Sequence, residues 1–275
     1  MSANLYALGA IALWAALASL GLALKHVPPF LLTGLALVIG SIPAWPLVKQ
    51  WRVPPKTLAL GVYGLFAYHF LLFVGLRTAP AVEANLVNYL WPLLIVLLAP
   101  VILPGMHLRA MHIVAGLTGF AGAAVAILGS GASTGAGGWS WGYLCALGAA
   151  FIWSTYSLMT RRVGAFPTAA IGLFGLVSGV LSLLCHVVLE PSAQLSAQDW
   201  LLIAIAGLGP LGAAFFLWDK ALKLGDPRQV GILSYITPLA STTLLMIVSG
   251  RPLTWSIGLA AALIIGAAVA GTRAG

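Results

Sequence analysis

The chain is a series of long apolar blocks, separated by short stretches that contain proline, glycine or charged residues. A helix needs about 20 apolar residues to cross a hydrocarbon layer roughly 30 Å thick. A membrane β-barrel would instead show short segments of alternating polarity. The pattern therefore predicts an all-α membrane protein with ten transmembrane helices, over residues 4–24, 29–48, 58–77, 82–103, 109–129, 140–160, 167–189, 200–221, 228–248 and 253–271.

The overall composition agrees with this pattern. Of the 275 residues, 61% are hydrophobic and only 7% are charged, whereas about 25% of the residues of a soluble domain are charged. The first block has neither a basic leader nor a small-residue cleavage site, so it is predicted to be a transmembrane helix and not a signal peptide. Cys145 and Cys185 lie inside apolar blocks and are predicted to be small buried residues, unrelated to a disulfide.

The basic residues predict the orientation of the chain. With a cytoplasmic N terminus, ten Lys and Arg residues fall at cytoplasmic block ends and three at the other side, and this bias sets topology. The ten are Lys49, Arg52, Lys56, Arg109, Arg161, Arg162, Lys220, Lys223, Arg228 and Arg273, and the three are Lys25, Arg77 and Arg251. Both termini are therefore predicted to be cytoplasmic. Nucleic acid is not expected as a partner, because no polar domain gathers these bases.

Short segments recur between the two halves of the chain, at offsets of 139 (148 minus 9), 146 (234 minus 88) and 144 (266 minus 122) residues. They are GAIALW and GAAFIW (9–14 and 148–153), NYLWPL and SYITPL (88–93 and 234–239), and GAAVA twice (122–126 and 266–270). This predicts two five-helix units, residues 1–132 and 139–275, within one membrane domain. Because five is an odd number, the units are inverted relative to each other. Inverted repeats surround a central cavity near the bilayer midplane and permit alternating access.

Polar residues recur on one face of several blocks, although polarity is costly inside a membrane unless it faces protein or water. Asn85, Asn88, Tyr89 and Pro92 follow an i, i+3, i+4, i+7 spacing and share a helix face. Together with the repeat, this face predicts a substrate cavity with the binding residues Tyr68, His69, Asn85, Asn88, Tyr89, Trp91, Trp153, Tyr156, Ser157, Ser234 and Tyr235. Amides, hydroxyls and aromatic rings suit a small amphipathic zwitterion such as an amino acid.

Each of these features has an alternative explanation. Polar faces also join neighbouring membrane helices, without any cavity. His69 is a candidate for proton coupling, but a lone buried histidine is more often a packing residue. Pro92 and Pro238 predict kinks, which serve as hinges in a transporter and are merely tolerated in a static bundle.

The chain resembles the drug/metabolite transporter superfamily, with two EamA-type repeats that cover essentially its whole length. The segments that carry the resemblance are GLRTAPAVEANLVNYLWPLLIVLLAPVI (75–102), and ALKLGDPRQVGILSYITPLASTTLLMIVSG (221–250) followed by GAAVAG (266–271). NYLWP is particularly similar to the bacterial aromatic amino-acid exporter branch. The resemblance implies ten helices, a central cavity and export of amino acids or related compounds across the bacterial inner membrane. It also implies the cavity positions Trp14, Tyr68, His69, Asn85, Tyr89, Trp91, Trp153 and Tyr235.

One departure from the family pattern concerns a Glu that many members have shortly after the fourth and ninth helices. Here the segments are PGMH (104–107) and SGRP (249–252), without an acid, so a mechanism that depends on this carboxylate is not expected.

The function predicted from these observations is that of a secondary transporter, which exports aromatic or other neutral amino acids and related metabolites by alternating access. A drug, cation or nucleotide-type transporter of the same fold and a passive channel remain alternatives. A membrane enzyme is disfavoured because the five acids are scattered. No metal or other cofactor is expected, because no metal-ligand spacing is present. The expected partners are a small-molecule substrate and the lipid bilayer, and the oligomeric state stays open, a monomer included.

Overall fold

The computed structural model describes residues 2–129, 140–250, 252 and 254–273, and all regular elements in these residues are helical. Nine of the described helices are long and apolar enough to cross a membrane: α1 (Ala3–Ala23), α2 (Pro29–Trp51), α3 (Pro55–Thr78), α4 (Ala81–Ile102), α5 (Ala110–Leu128), α6 (Trp141–Met159), α7 (Ala170–Leu189), α8 (Ala197–Leu224) and α9 (Pro227–Val248). The last helix, α10 (Trp255–Arg273), contains a shorter apolar stretch, Trp255–Gly271.

The predicted fold class is confirmed, and helices occur at all ten predicted positions. Helix ends differ from the predicted ones by at most three residues. Differences of three residues occur at the end of α2, the starts of α3 and α7, and both ends of α8. The predicted junction between the two units, residues 132–139, and Arg251 lie outside the described residues.

Consecutive spanning helices alternate in direction, so α1, α3, α5, α7 and α9 all begin at one end of the bundle. We call this the basic end, because the ten Lys and Arg residues predicted above to be cytoplasmic lie at helix ends on this side. The structure describes the side chains of nine of them, all except Arg273. The other end is called the opposite end.

Helix packing follows the two-unit organisation. The counterparts α2 and α7 pack closely along each other, and so do the counterparts α5 and α10. The pair α3–α6 corresponds, unit for unit, to the pair α8–α1, and both pairs are in extensive contact. Such reciprocal contacts are what a twofold relation between two five-helix units produces.

Local irregularities of the helices also repeat. A π-helical turn interrupts α3 at Tyr63–Ala67, and another interrupts α8 at Gly209–Ala213, 146 residues later (209 minus 63). Regular α-helix also stops at Asn88 in α4 and at Leu233 in α9, and resumes at Trp91 and Ile236 respectively. Two irregularities have no counterpart among the described residues. The first is the break of α1 at Ala16, whereas α6 is continuous, and the second is the 3-10 helical segment Ile42–Trp51 at the end of α2, whereas α7 is regular α-helix up to Leu189. The two units therefore share a sequence pattern but differ in conformation.

Prolines explain the breaks in α4 and α9. Pro92 has no N–H to donate to the carbonyl of Asn88, and Pro238 has none for the carbonyl of Ser234. The chain tightens before each proline instead: Leu90 N donates to Val87 O (3.1 Å), and Thr237 N donates to Ser234 O (2.9 Å). These i to i−3 bonds satisfy backbone groups that would otherwise be unpaired in the membrane.

The outside of the bundle is apolar, unlike the surface of a soluble protein. Large aliphatic side chains, such as Val187 and Val188, are almost fully exposed on the outside of the bundle, where lipid is their solvent. Alanines and glycines are frequent in the interior, because small residues let membrane helices approach closely. Tryptophan, leucine, isoleucine and phenylalanine side chains are buried between them.

Candidate functional site

A cavity of about 650 Å³ lies among α1, α3, α4, α6, α8 and α9, with α2 and α5 contributing at its edge. Eight of the twelve predicted binding residues line it, and so does one of the two predicted hinge prolines: Trp14, Tyr68, His69, Asn85, Asn88, Tyr89, Trp91, Trp153 and Pro238. Cavities of 300–1,000 Å³ with mostly apolar walls are typical of small-molecule sites.

The cavity occupies the half of the bundle remote from the basic end. Its lining includes Leu24, Ala81 and Ile127, each within one residue of the point where its helix begins or ends at the opposite end. The cavity thus extends from the middle of the bundle to that end. On the other side, it is bounded by tightly packed aromatic side chains.

Trp14 of α1, Trp91 of α4 and Trp153 of α6 line one end of the cavity, and Trp218 of α8 packs behind them against Trp14 and Trp91. We call these four tryptophans the aromatic floor. The ring centroids of Trp14 and Trp218 are 5.2 Å apart, those of Trp91 and Trp218 are 5.5 Å apart, and those of Trp14 and Trp153 are 5.9 Å apart. Trp218 Nε1 also donates to Ser157 Oγ (3.1 Å), beneath the floor. This aromatic floor separates the cavity from the basic end.

The polar wall of the cavity is formed mainly by α3 and α4. Asn88 Nδ2 donates to Tyr68 Oη (3.3 Å), and His69 Nδ1 lies 2.5 Å from the carbonyl oxygen of Leu65. Because a carbonyl can only accept, Nδ1 is the protonated nitrogen of His69, and Nε2 is an acceptor in the neutral ring. Asn88 Oδ1 and, on α9, Thr237 Oγ1 have no hydrogen-bond partner among the described residues, although both are buried.

The cavity wall is electrically neutral. Among the described residues that line it, none is Asp, Glu, Lys or Arg. Dipoles of amide, hydroxyl and imidazole groups, together with aromatic faces, are what this wall presents to an occupant. A ligand that carries one uncompensated charge would be poorly solvated here, whereas an apolar or internally compensated ligand suits the wall.

Four predicted binding residues and the hinge residue Pro92 do not line the cavity. Tyr156 packs against Trp153 (5.4 Å between centroids), and Ser157 accepts the hydrogen bond from Trp218. Ser234 Oγ donates to Val230 O (2.7 Å), and Tyr235 is fully buried among side chains of α4, α5 and α10. The prediction assumed that both units present the same face to the cavity, and the different conformations of the two units explain the difference.

Several cavity residues were missed at the level of sequence, among them Thr33, Phe73, Phe215, Thr237, Ser241 and Thr242. The repeat could have indicated Thr237. It lies 146 residues after Trp91 (237 minus 91), and Ser234 lies at the same offset from Asn88, so Thr237 is the counterpart of the predicted binding residue Trp91. The phenylalanines gave no such signal, since an apolar residue in an apolar helix has no distinguishing pattern.

Beyond the aromatic floor, arginines join helix ends at the basic end. Arg161 Nη1 donates to the Gly225 carbonyl (2.8 Å), and Arg162 Nη1 donates to the Ile102 carbonyl (3.3 Å). These contacts connect the end of α6 with the ends of α8 and α4.

An ion pair is also present at this end. Lys223 and Asp219 form an ion pair within α8 (2.6 Å), and Thr168 Oγ1 donates to the same carboxylate (2.6 Å). The bonds of Asp219 with Thr168 and of Lys223 with the Phe166 carbonyl (2.9 Å) connect α8 to the segment between α6 and α7. Together with the aromatic floor and the arginine contacts, they close the basic end in the structure. No group of three or more His, Cys, Asp or Glu residues in the described part of the chain could hold a metal ion.

Known proteins share both the sequence and the architecture of this chain. The model of the EamA-like transporter family matches twice, at residues 1–128 and 140–271. A relative named aromatic amino acid exporter YddG, from Ancylobacter novellus, is 40% identical over 98% of this chain and 97% of its own length. The Escherichia coli protein of the same name is 27% identical over 86% of this chain and 82% of its own length.

A solved crystal structure with 39% identity superposes with a TM-score of 0.90, over 98% of this chain and 97% of its own. The two separate family matches coincide with the two sets of five helices, α1–α5 and α6–α10. The match of sequence, helix arrangement and repeat over nearly the full length establishes that this chain belongs to the EamA-like transporter family.

Proposed function

We propose that this chain exports amino acids, aromatic or other neutral ones, across the bacterial inner membrane by alternating access. The observation that carries the proposal is a neutral cavity of about 650 Å³ whose floor is made of tryptophan rings and whose wall carries amide and hydroxyl groups. Aromatic faces accept an apolar or aromatic side chain, and neutral dipoles suit the compensated charges of an amino acid. The names of the two bacterial relatives point to the same substrate class.

In this proposal, the residues that contact the substrate are the eight predicted ones that line the cavity: Trp14, Tyr68, His69, Asn85, Asn88, Tyr89, Trp91 and Trp153. Tyr156, Ser157, Ser234 and Tyr235 act one layer behind, where they support the aromatic floor and the helix contacts. Thr237 and Phe215, which also line the cavity, are proposed to contact the substrate as well.

The basic end is proposed to face the cytoplasm, with both termini on that side, because of the excess of Lys and Arg at this end. The cavity then faces the periplasmic side in the state described here, as expected after a substrate has been released. Loading requires a second state, in which the aromatic floor and the contacts of Arg161 and Arg162 open and the opposite end closes. Pro92 and Pro238, at the breaks of α4 and α9, are the proposed hinges.

The proposal is tested with the purified chain in proteoliposomes. Vesicles preloaded with unlabelled phenylalanine should accumulate external labelled phenylalanine by counterflow, and the rate should saturate. Tyr89→Ala and Trp153→Ala should each lower the rate at least tenfold, because they remove ring surface from the cavity. Trp255→Ala is the matched control, since Trp255 is 79% exposed at the start of α10.

The result of this assay also separates the proposal from its alternatives. A passive channel would give flux that does not saturate and no counterflow. A transporter for drugs or cations would show counterflow with those compounds and none with phenylalanine. If both variants transport phenylalanine at the rate of the unmodified chain, then Tyr89 and Trp153 are not part of the binding site.

A further inference from the structure

Asn88 and Tyr68 form a hydrogen bond that joins two neighbouring polar groups in the cavity wall. Asn88 Nδ2 is the donor and Tyr68 Oη is the acceptor, at 3.3 Å. The phenol oxygen uses a lone pair in this contact, so its own proton remains available to another acceptor. Asn88 Oδ1, on the other side of the same amide, has no partner among the described residues.

This pair therefore offers one acceptor and one donor next to each other, on two helices that face the same cavity. Asn88 is 4% exposed, and an unpaired amide oxygen in so buried a place is unfavourable until a donor arrives. Because this oxygen is buried, it reaches an incoming N–H only after the amide has rotated. No charged side chain lies among the described lining residues to compete for either end of an occupant.

We propose that Asn88 Oδ1 receives the α-ammonium group of the substrate and that the Tyr68 hydroxyl donates to its α-carboxylate. This assignment rests on the proposed function, since it takes the cargo to be an amino acid. A zwitterion satisfies both groups, while each of its charges compensates the other in a site without ions. The substrate side chain then points to the floor, where the Trp153 ring lies 5.2 Å from that of Tyr68.

The experiment compares three ligands on two variants that preserve side-chain shape. Phenylalanine carries both charged groups, phenethylamine lacks the carboxylate, and 3-phenylpropionate lacks the ammonium group. Inhibition constants are measured by competition with labelled phenylalanine on the purified chain in lipid nanodiscs. The variants are Asn88→Leu and Tyr68→Phe. The control is Trp255→Phe, at a position on α10 that is 79% exposed and lies outside the cavity lining.

The expected result is a crossed pattern. Asn88→Leu raises the inhibition constants of phenylalanine and phenethylamine about tenfold or more and leaves that of 3-phenylpropionate unchanged. The reason is that a hydrogen bond to a charged group is lost only for ligands with an ammonium group. Tyr68→Phe raises the inhibition constants of phenylalanine and 3-phenylpropionate and leaves that of phenethylamine unchanged. Trp255→Phe changes the inhibition constant of none of the three.

The other outcomes overturn the assignment. The reverse pattern would mean that Asn88 binds the carboxylate, and equal losses for all three ligands in a variant would mean that it alters the cavity without contacting a charged group. Unchanged inhibition constants in both variants would show that neither Asn88 nor Tyr68 binds the substrate. If the unmodified chain binds no phenylalanine at all, the proposed function itself fails, which is a result distinct from any of these patterns.

Discussion

The indole nitrogen of Trp14 donates a hydrogen bond to the carbonyl oxygen of Pro210 across 3.0 Å. Trp14 lies two residues before the break of α1, and Pro210 lies in the π-helical turn of α8. The bond therefore joins an irregularity of the first unit to an irregularity of the second, at the floor of the cavity. A π-helical turn leaves backbone carbonyls without their regular partners, and the tryptophan supplies one for Pro210.

Trp14→Phe retains an aromatic ring and removes this donor. We expect it to lower the free energy of unfolding by about 1–3 kcal/mol, the usual cost of leaving a buried carbonyl without a partner. Thermal unfolding of the purified chain in one detergent measures the effect. Trp255→Phe, at a position 79% exposed on α10, is the control. A loss no larger than that of the control would show that the bond to Pro210 is not a significant contribution.

Much of the fold follows from the sequence because the membrane restricts what a long apolar segment can do. Backbone polar groups must be paired within the bilayer, so an apolar block of about 20 residues forms a helix. The repeat was visible because NYLWPL and SYITPL keep a proline at the same place, and each proline breaks its helix. These properties are local, and local patterns are what a single sequence displays.

The candidate site was only partly predictable for a different reason. Asn88 and Ser234 occupy equivalent positions, yet Asn88 lines the cavity and Ser234 is bonded to its own helix. The repeat shows which residues of the two units are equivalent in sequence. Which of them line the cavity depends on the conformation of each unit, and the two units differ in conformation. Trp218 was missed because only its packing against Trp14 and Trp91 distinguishes it from other buried aromatic residues.

Gly34 in α2 and Gly179 in α7 allow the two counterpart helices to pack closely. A Cβ atom on Gly34 would lie 3.0 Å from the Gly179 carbonyl oxygen, and one on Gly179 would lie 2.9 Å from the Gly34 carbonyl oxygen. We expect Gly34→Ala and Gly179→Ala each to destabilise the chain by about 1–3 kcal/mol through overpacking. Both effects are measured by thermal unfolding.

The matched control for this pair is Gly258→Ala in α10, where an added Cβ would have no atom within 4 Å. An exposed glycine inside a helix is less favourable than alanine by about 0.5–1 kcal/mol, so this variant should be slightly more stable. Equal stability of all three variants would contradict close packing of α2 against α7.

Asp226, in the connection between α8 and α9, predicts a defined pH dependence of stability. Burial raises the pKa of Asp226, but hydrogen bonds from the side chain and backbone of Arg228, with its positive charge, outweigh this and lower the pKa below 3.8. Because the folded-state pKa is depressed, the stabilisation is fully present above pH 3.8, the ordinary pKa, and is lost as the pH falls through the folded-state value.

Asp226→Asn removes the charge and retains an oxygen that can cap α9 at the N–H of Arg228. At pH 7 it should lower the free energy of unfolding by about 1 kcal/mol, since the ion pair is partly exposed. The gap between the two proteins should narrow as the pH falls below 4. Asp226→Ala, which also removes the cap, should be less stable than Asp226→Asn at every pH. A gap that does not change with pH would contradict the role of the charge.

Arg161 and Arg162 are expected to stabilise the state in which the basic end is closed. Their guanidinium groups donate to the Gly225 and Ile102 carbonyls, and these bonds connect helix ends that must separate if the cavity is to open on that side. Replacing both arginines by alanine should therefore shift the equilibrium towards the state that is open at the basic end. Each exposed bond contributes about 0.5–1.5 kcal/mol at most, so the expected shift is several-fold and not complete.

A thiol at position 157 reports this shift. Ser157 is fully buried beneath the aromatic floor, so a cysteine there should react slowly with a maleimide while the basic end is closed. In a background with Cys145→Ala and Cys185→Ala, the Arg161→Ala/Arg162→Ala variant should be labelled several times faster than its parent. Arg52→Ala, an exposed arginine near the same end, is the control for a change in surface charge. If labelling is unchanged, or if Arg52→Ala accelerates it equally, then the two arginines do not keep the basic end closed, and the aromatic floor alone accounts for its closure.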